Sequence, residues 1–361
     1  MDNFARILEF GERMRARIAR AGVAPIGDAE FTELANQLFR LQAKAVPVLK
    51  SLATRRGLNL EEAVSWERLP AMPAAMFKEL ELSSIPPERR SIFFLSSGTT
   101  AENRSRHWHG AESLALYEES LRRWFEANVR LSGHAFISLT PPAAAVPNSS
   151  LVHMFEQYRS GLGADVDAFL GELSTDDAWE VRFDELFSRL EHLSGPVFLV
   201  GTAFSFVHVL DEMKTRQLKF ALPAGSLLLE TGGYKGRSRV LTKAQLYRRL
   251  QSRFDVPDEA IVCEYGMSEL SSQAYDAGRG TTGEGRVFRF PSWARAVIVS
   301  PETGEEVAEG EVGLLRIVDL ANTFSVMAVQ TEDLAVRKAD GFELLGRPVE
   351  AEPRGCSLMA A

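Results

Sequence analysis

The spacing of apolar residues changes once along the chain, near residue 284, and this change constrains the fold most strongly. Before it, stretches with helical periodicity, such as residues 111–131 and 179–193, alternate with short apolar runs such as residues 195–204. After it, alternating runs are separated by tight turns, one of them at Asp340 and Gly341. The sequence therefore predicts an α/β core followed by a smaller β-rich subdomain.

This pattern divides the chain into four predicted regions. They are a helical N-terminal part of the core (residues 1–90), an α/β core (91–283), a β-rich subdomain (284–345) and a short C-terminal tail (346–361). We find no internal repeat and no low-complexity segment in the sequence.

The composition argues against several classes of protein. The 361 residues carry a net charge of −8, whereas nonspecific nucleic-acid binding requires a positive surface. No apolar run approaches the roughly 20 residues that a membrane span needs, and the N-terminus does not resemble a secretory signal. The two cysteines, Cys263 and Cys356, are too few for a disulfide framework in a chain of this length. We therefore expect a cytoplasmic protein with reduced thiols.

A polar loop follows the short apolar strand that is predicted before residue 96. Its hydroxyl, glycine and arginine residues are Ser96, Ser97, Gly98, Thr99, Thr100 and Arg104. Hydroxyl and amide hydrogens, a glycine that lets the backbone approach an anion, and a guanidinium together suit a phosphate group. A plain polar connection between a strand and a helix is the structural alternative.

A glycine pair follows the apolar strand that is predicted before residue 232. Gly232 and Gly233 leave bare backbone against which a flat ring can lie, and Lys235 adds a positive point charge. An ordinary glycine turn at the end of a strand has the same sequence, so both interpretations stay open for this segment alone.

The apolar strand that ends at Cys263 is followed by a turn with several chemically useful residues. Tyr265 can stack on a base, and Gly266 forms the turn. Ser268 can bond a phosphate, and Glu269 can bind Mg²⁺ beside it. A capping serine with an acidic first helical turn is the alternative. Cys263 lies within the apolar strand and is predicted to belong to the core.

Asp333 and a histidine pair complete the candidates that the residues themselves suggest. A carboxylate such as Asp333 can accept both hydroxyls of a ribose, although a surface aspartate is the alternative. His107 and His109 stand two positions apart with no acidic or cysteine ligand beside them in the sequence. This spacing favours a strand over a metal site.

The order of these segments resembles the adenylate-forming superfamily, which includes acyl-CoA synthetases, luciferase and nonribosomal adenylation domains. "EYGMSE" is similar to the core motif of that superfamily, and "TEDLAVRKADGFELLGR" is similar to its ribose motif and the hinge that follows. The loop at residues 96–105 resembles its phosphate loop. The substitutions in that loop are Ala101, Asn103, Arg104 and Ser105 in place of Gly, Pro, Lys and Gly.

The resemblance implies that the chain uses ATP and Mg²⁺, and it implies a role for each motif. Residues 96–104 would bind the β- and γ-phosphates of ATP. The other implied contacts are adenine with Gly232, Gly233 and Tyr265 (with Gly266 in the same turn), the α-phosphate with Ser268, Mg²⁺ with Glu269, and the ribose hydroxyls with Asp333 beside Arg347. The implied fold is the large N-terminal domain of an adenylate-forming enzyme.

The end of the sequence resembles one branch of the superfamily. Most members continue after the hinge into a small lysine-bearing domain, whereas this chain stops soon after Arg347, so we expect that full domain to be lacking. A short tail with Cys356 stands in its place, as in LuxE-type acyl-protein synthetases. In that branch a fatty acid is activated as acyl-AMP and moves to a cysteine near the C-terminus. It then passes to a partner reductase.

Three further residues receive catalytic roles on this basis. A thiolate at Cys356 can attack acyl-AMP and store the acyl group as a thioester, and Arg354 can lower the pKa of that thiol. An incidental thiol on a frayed tail is the alternative. Lys235 is the predicted substitute for the lysine of the lacking domain. His153 is predicted to line the carboxylate site.

Two other functions stay open at this stage. One is an adenylating ligase that delivers an aromatic or short acid to a carrier protein, CoA or an amine. The other is a nucleotide-binding protein in which the motifs persist without turnover. The expected partners are a carboxylic acid and an acyl-accepting protein that resembles a reductase.

Overall fold

The computed structural model describes residues 2–20, 24–96, 104–175, 178–232, 241–276 and 286–347. Its α-helices are α1 (Asn3–Ala19), α2 (Asp28–Ala45), α3 (Pro47–Arg55), α4 (Met76–Glu79), α5 (Ala111–Asn128), α6 (Ser150–Gly161), α7 (Phe183–Glu191), α8 (Ala203–Thr215) and α9 (Lys243–Phe254). No helix in these ranges combines the length and the apolar character that are needed to cross a bilayer.

The strands in the same ranges belong to two large sheets and two hairpins. They are β1 (Met72–Pro73), β2 (Ile92–Leu95), β3 (Arg106–His109), β4 (Ala135–Ser138), β5 (Gly171–Leu173), β6 (Trp179–Val181), β7 (Val197–Thr202), β8 (Leu227–Thr231), β9 (Ile261–Tyr265), β10 (Ala274–Tyr275), β11 (Ala294–Val299), β12 (Val312–Asp319), β13 (Ala328–Lys338) and β14 (Gly341–Gly346). The pairs β2–β3 and β5–β6 form the hairpins.

The central sheet has the strand order β10-β9-β8-β7-β4. Strands β4, β7, β8 and β9 run parallel, and β10 pairs antiparallel with β9. Helices α7, α8 and α9 pack on one face, and helices α5 and α6 pack on the other. Because both faces are covered, every residue of β7 is buried. The predicted α/β fold is confirmed.

Hydroxyl side chains fix where two of the covering helices begin. Thr202 ends β7, and its Oγ1 accepts a hydrogen bond from the Ser205 amide at 2.9 Å, while Ser205 Oγ accepts from the Thr202 amide at 3.0 Å. Thr242 and Gln245 form the same reciprocal cap at the start of α9. These caps satisfy amide groups that a helix N-terminus leaves unpaired, so each helix starts at a defined residue.

The second sheet has the strand order β1-β13-β12-β11, and β14 also pairs with β13. Strands β11 to β14 pair antiparallel, as expected for hairpin-connected segments. Strand β1 joins them in parallel, with Met72 opposite Val329. A segment from the N-terminal region therefore completes the sheet formed by the last part of the chain.

The N-terminal helices share one buried hydrophobic cluster with this second sheet. On α2, Gln42 Nε2 donates to the carbonyls of Asn322 and Thr323 at 2.9 and 3.0 Å, and its Oε1 accepts from the Met327 amide. Helix α1 also lies along α5. The assignment of residues 1–90 to the helical N-terminal part of the core stays a prediction. These residues also make extensive contacts with the β-rich sheet.

The predicted helix over residues 179–193 is wrong at its start. Residues 179–181 form strand β6, which pairs with β5, and α7 begins at Phe183. Trp179 and Val181 are buried whereas Glu180 is exposed, so the burial has the period of a strand. Pairing with β5 overrides the helical pattern that the longer stretch suggests.

Candidate active site

The carboxyl ends of β8 and β9 meet at one edge of the central sheet, where Thr231 pairs with Glu264. Gly232 follows β8 with a φ of 79°, a conformation that glycine adopts at little cost. Residues 266–269 form the turn after β9. Open parallel sheets bind ligands at this edge, so the predicted adenine and phosphate turns lie where a site is expected.

Three of the predicted nucleotide-binding residues lie in direct contact. Tyr265 OH on β9 donates to Asp333 Oδ2 on β13 at 2.8 Å. Arg347, just after β14, donates from Nε to Asp333 Oδ1 at 3.0 Å, and each side chain of this ion pair is only 10% exposed. Burial raises the pKa of Tyr265, and the charge of Asp333 raises it further. The tyrosine is therefore a neutral donor that holds the aspartate in place.

Glu269 is a buried carboxylate held by two serines. Ser268 Oγ donates to Glu269 Oε2 at 3.0 Å, and Ser105 Oγ donates to Glu269 Oε1. Each oxygen keeps further acceptor capacity, because a carboxylate oxygen carries more than one lone pair. The arrangement fixes the direction of the carboxylate and leaves it able to bind one more electropositive group.

The two ends of the predicted phosphate loop are joined by hydrogen bonds. The Ser96 amide donates to the Ser105 carbonyl at 3.1 Å, and the Ser105 amide donates to Ser96 Oγ at 2.9 Å. Strands β2 and β3 continue this pairing, and partly exposed Arg104 precedes Ser105. The residues that flank positions 97–103 are therefore paired with each other, and one of them, Ser105, contacts Glu269.

The donor set suits Mg²⁺ when the cation is shared with phosphate groups. Mg²⁺ is commonly bound through one or two carboxylates together with substrate phosphates. Glu269 supplies one carboxylate beside two hydroxyls, whereas the described part of the chain has no cluster of three His, Cys, Asp or Glu side chains that could hold a metal alone. Glu269 would hold the ion, which would neutralise phosphate charge.

His107 on β3 contacts the turn that contains Ser268 and Glu269. Its Nδ1 donates to the Ser268 carbonyl at 2.8 Å, and burial lowers its pKa to about 4, so the imidazole is neutral. The contacts of Ser105 and His107 with this turn are not predicted from the sequence, because their partners lie 164 and 161 positions further along the chain. In the structure, buried and exposed residues alternate over 105–109, as in a strand with one buried face. A strand pattern at these positions is the signal that could have indicated that Ser105 and His107 point inward.

His153 lies in the first turn of α6. Its Nε2 is 3.0 Å from Glu118 Oε1 on α5, and its ring lies 5.3 Å from that of Phe94 and 5.9 Å from that of Tyr117. Ser149 caps this helix by accepting from the Val152 amide. The role of His153 at the carboxylate site stays a prediction.

Several predicted site residues lie outside the described residues. They are Ser97, Gly98, Thr99, Thr100, Gly233, Lys235 and Cys356. Their assignments stay predictions.

Cys263 is buried in β9, in line with its predicted place in the core. Burial raises the pKa of its thiol well above the ordinary value, and the charge of Glu230 adds to this effect. A thiol that stays protonated is a poor nucleophile. Cys263 is therefore chemically distinct from an acyl-carrying cysteine.

The fold is similar to those of solved adenylate-forming ligases. A structure of 2-hydroxyisobutyryl-CoA ligase in the postadenylation state with 2-HIB-AMP matches with a TM-score of 0.66 and 12% identity, over 89% of this chain and 67% of that chain. The open conformation of that ligase, with 2-HIB-AMP and CoA, matches with a TM-score of 0.64 over 90% of this chain and 75% of that chain. At this level of identity the likeness shows the fold alone.

Two comparisons of sequence agree with that fold. The chain is 24% identical over 319 residues to the long-chain-fatty-acid–luciferin-component ligase of Aliivibrio fischeri. This alignment covers 82% of this chain and 78% of the relative. The family model of the acyl-protein synthetase LuxE matches residues 177–361, which is half of the chain. The matched part contains the Tyr265–Asp333–Arg347 contacts and Glu269. The chain thus belongs to the LuxE family of acyl-protein synthetases and is an acid–thiol ligase.

Proposed function

We propose that this chain activates a fatty acid with ATP as acyl-AMP and then carries the acyl group on Cys356 to a protein partner. The observation that carries the proposal is the meeting of two groups at one sheet edge. These are Tyr265 with Asp333 and Arg347, and Ser105 with Glu269 and Ser268. Family membership and the adenylate-forming fold support the first, adenylating step.

The proposed reaction has two steps. In the first, a carboxylate oxygen of the acid attacks the α-phosphorus of ATP, and pyrophosphate leaves. This converts a poor electrophile into a mixed anhydride with a good leaving group. In the second, the thiolate of Cys356 attacks the acyl carbon, AMP leaves, and a thioester forms. Lys235 is proposed to stabilise the charge on the α-phosphate or the carboxylate, and His153 is proposed to line the carboxylate site.

The geometry and the motifs support a proposal for each nucleotide contact. Tyr265 and Arg347 each use one lone pair of Asp333, so both carboxylate oxygens can still accept a ribose hydroxyl. Glu269 is proposed to bind Mg²⁺. The remaining proposed ATP contacts are Ser96, Ser97, Gly98, Thr99, Thr100 and Arg104 with the β- and γ-phosphates, Ser268 with the α-phosphate, and Gly232, Gly233 and Tyr265 with adenine, with Gly266 in the same turn as Tyr265.

The acid and the acceptor are proposed from the relative. The name of that relative includes a long-chain fatty acid, so we propose a fatty acid here as well. A thioester on a terminal tail can be presented to another protein, and we propose a reductase-like protein as the final acceptor. The division into residues 1–90, 91–283, 284–345 and 346–361 belongs to the same proposal, with the last region as the acyl-carrying tail.

ATP–pyrophosphate exchange tests the adenylating step. We expect exchange with fatty acids to exceed that with acetate and benzoate by about tenfold or more, because burial of each further methylene adds to binding. A preference for benzoate or acetate would favour a ligase for an aromatic or short acid. No exchange with any acid would favour a nucleotide-binding protein. Unchanged exchange in Lys235→Ala would reject the role of that lysine.

A further inference from the structure

A buried carboxylate beside the candidate site has no role in the reaction described above. Glu264 lies one residue before Tyr265 in β9, and its Oε2 accepts a hydrogen bond from Thr231 Oγ1 on β8. Burial raises its pKa to about 7; the hydrogen bond from Thr231 opposes this rise, and the charge of Glu230 adds to it. A buried carboxylate destabilises the fold unless hydrogen bonds or an opposite charge compensate for its lost hydration.

The turn after β9 is shaped around this carboxylate. A Cβ atom at Gly266 would collide with Glu264 Oε1 and would lie 3.5 Å from Gln273 Cγ. Gln273 is also buried, and its Oε1 has no hydrogen-bond partner within the described ranges. Buried acceptors in native proteins nearly always have a donor, so an unpaired one points to a ligand that supplies it. The carboxylate of Glu264 and the side chain of Gln273 thus both lie against one glycine of the site.

Glu264 faces away from the residues that are assigned to the ribose. Successive side chains of a strand point to opposite faces, so Tyr265 turns to one face, where it meets Asp333, and Glu264 turns to the other. On that other face Glu264 pairs across the strands with Tyr275, whose OH is 2.6 Å from the OH of Tyr158 on α6. Because the Tyr265 face is assigned to the nucleotide, the Glu264 face is the one that is left for the acid.

The chemistry of the two acceptors limits which part of an acid can lie against them. The reacting carboxylate would be repelled by a second carboxylate. An unsubstituted alkyl chain would leave Gln273 Oε1 without a donor and would give Glu264 none beyond Thr231, which a site built for hydrogen bonding disfavours strongly. A hydroxyl or amino group can donate to either acceptor.

We propose that the acid substrate carries a hydrogen-bond donor, a hydroxyl or an amino group, which Glu264 and Gln273 recognise. This inference rests on the proposed function and narrows its substrate class. The preferred acid is a hydroxylated or amino-substituted acid, and the unsubstituted parent acid is a poorer substrate.

Pyrophosphate exchange with matched acids tests the proposal. The panel contains decanoate, decanoate with a hydroxyl at the α, β or terminal carbon, and decanoate with a terminal amino group. Comparing the hydroxylated acids with the amino-substituted acid shows which of the two donors the site prefers. We expect one substituted acid to exceed decanoate in kcat/KM by about 10- to 100-fold, which is the range for one hydrogen bond to a buried partner. In Glu264→Leu that preference falls by about tenfold or more, and in Gln273→Leu it falls in part.

Matched variants separate recognition from a structural role. Glu172→Gln alters an exposed glutamate on β5 and should leave the preference as it is in the wild type. Glu264→Gln keeps the size of the side chain and serves if Glu264→Leu does not fold. A wild-type preference for decanoate, or an equal loss with both acids in Glu264→Leu, overturns the proposal. No exchange with any acid rejects the proposed function itself, and this inference falls with it.

Inosine triphosphate tests whether Glu264 and Gln273 instead bind the amino group of adenine. It carries a carbonyl where adenine carries its amino group, so it lacks the donor that adenine would offer. We expect Glu264→Leu to show the same preference for ATP over inosine triphosphate as the wild type. If the variant loses that preference, Glu264 recognises adenine, and the proposal for the acid is overturned.

Discussion

Replacing Asp333 with alanine should lower kcat/KM for ATP by about 100-fold, which corresponds to about 3 kcal/mol. The substitution removes the proposed acceptor of both ribose hydroxyls. It also leaves the Tyr265 hydroxyl and the Arg347 guanidinium without the partner they contact at 2.8 and 3.0 Å. Because binding is affected more than chemistry, the change should appear mainly in KM for ATP in the exchange assay.

Asp340 supplies the matched control for this prediction. It lies seven positions further along the same motif, pairs with Arg289 at 2.7 Å, and is 65% exposed. Asp340→Ala should therefore leave KM for ATP unchanged, because an exposed ion pair contributes little. An unchanged KM in Asp333→Ala, or an equal rise in both variants, would contradict the assignment of Asp333 to the ribose.

Replacing Glu269 with glutamine should lower kcat for pyrophosphate exchange by about 10²- to 10³-fold. The amide retains the size of the side chain and can still pair with Ser105 and Ser268, so the fold should persist. It loses the negative charge that the proposed Mg²⁺ contact requires. Exchange at saturating ATP, measured over a range of Mg²⁺ concentrations, should show a higher Mg²⁺ requirement as well as the lower rate.

Glu119→Gln provides the comparison for Glu269. Glu119 is a largely buried glutamate on α5 that pairs with Arg122 and Arg123, away from the candidate site. We expect this variant to keep the wild-type rate even if its thermal midpoint falls. A normal rate and a normal Mg²⁺ requirement in Glu269→Gln would rule out the proposed metal contact.

The fold class and part of the site can be predicted from the sequence because they depend on local patterns. The helical spacing of residues 111–131 corresponds to α5, and the apolar run at 195–204 corresponds to β7, whose six residues are all buried. The order of motifs predicts that Tyr265, Asp333 and Arg347 all bind the nucleotide, and the structure places the three side chains in contact with one another. Each of these signals lies within a short stretch of chain.

What escapes prediction depends on contacts between distant parts of the chain. Ser105 contacts Glu269, and Gln42 contacts a residue 280 positions away, and no sequence pattern predicts either contact. Glu264 follows the predicted end of the apolar strand at Cys263, and only its pairing with Thr231 identifies it as a buried strand residue. The sequence of residues 179–181 continues a helical pattern. These residues form a strand because they pair with β5, which lies earlier in the chain.

The most direct test of the central proposal is the intact mass of the protein after incubation with ATP, Mg²⁺ and the acid that supports exchange. We predict a mass increase of one acyl group that hydroxylamine removes, that is absent in Cys356→Ala, and that persists in Cys263→Ala, since the thiol of Cys263 is buried with a raised pKa. Persistence of the adduct in Cys356→Ala, or acyl-AMP in solution without any adduct on the wild type, would contradict acyl transfer to Cys356.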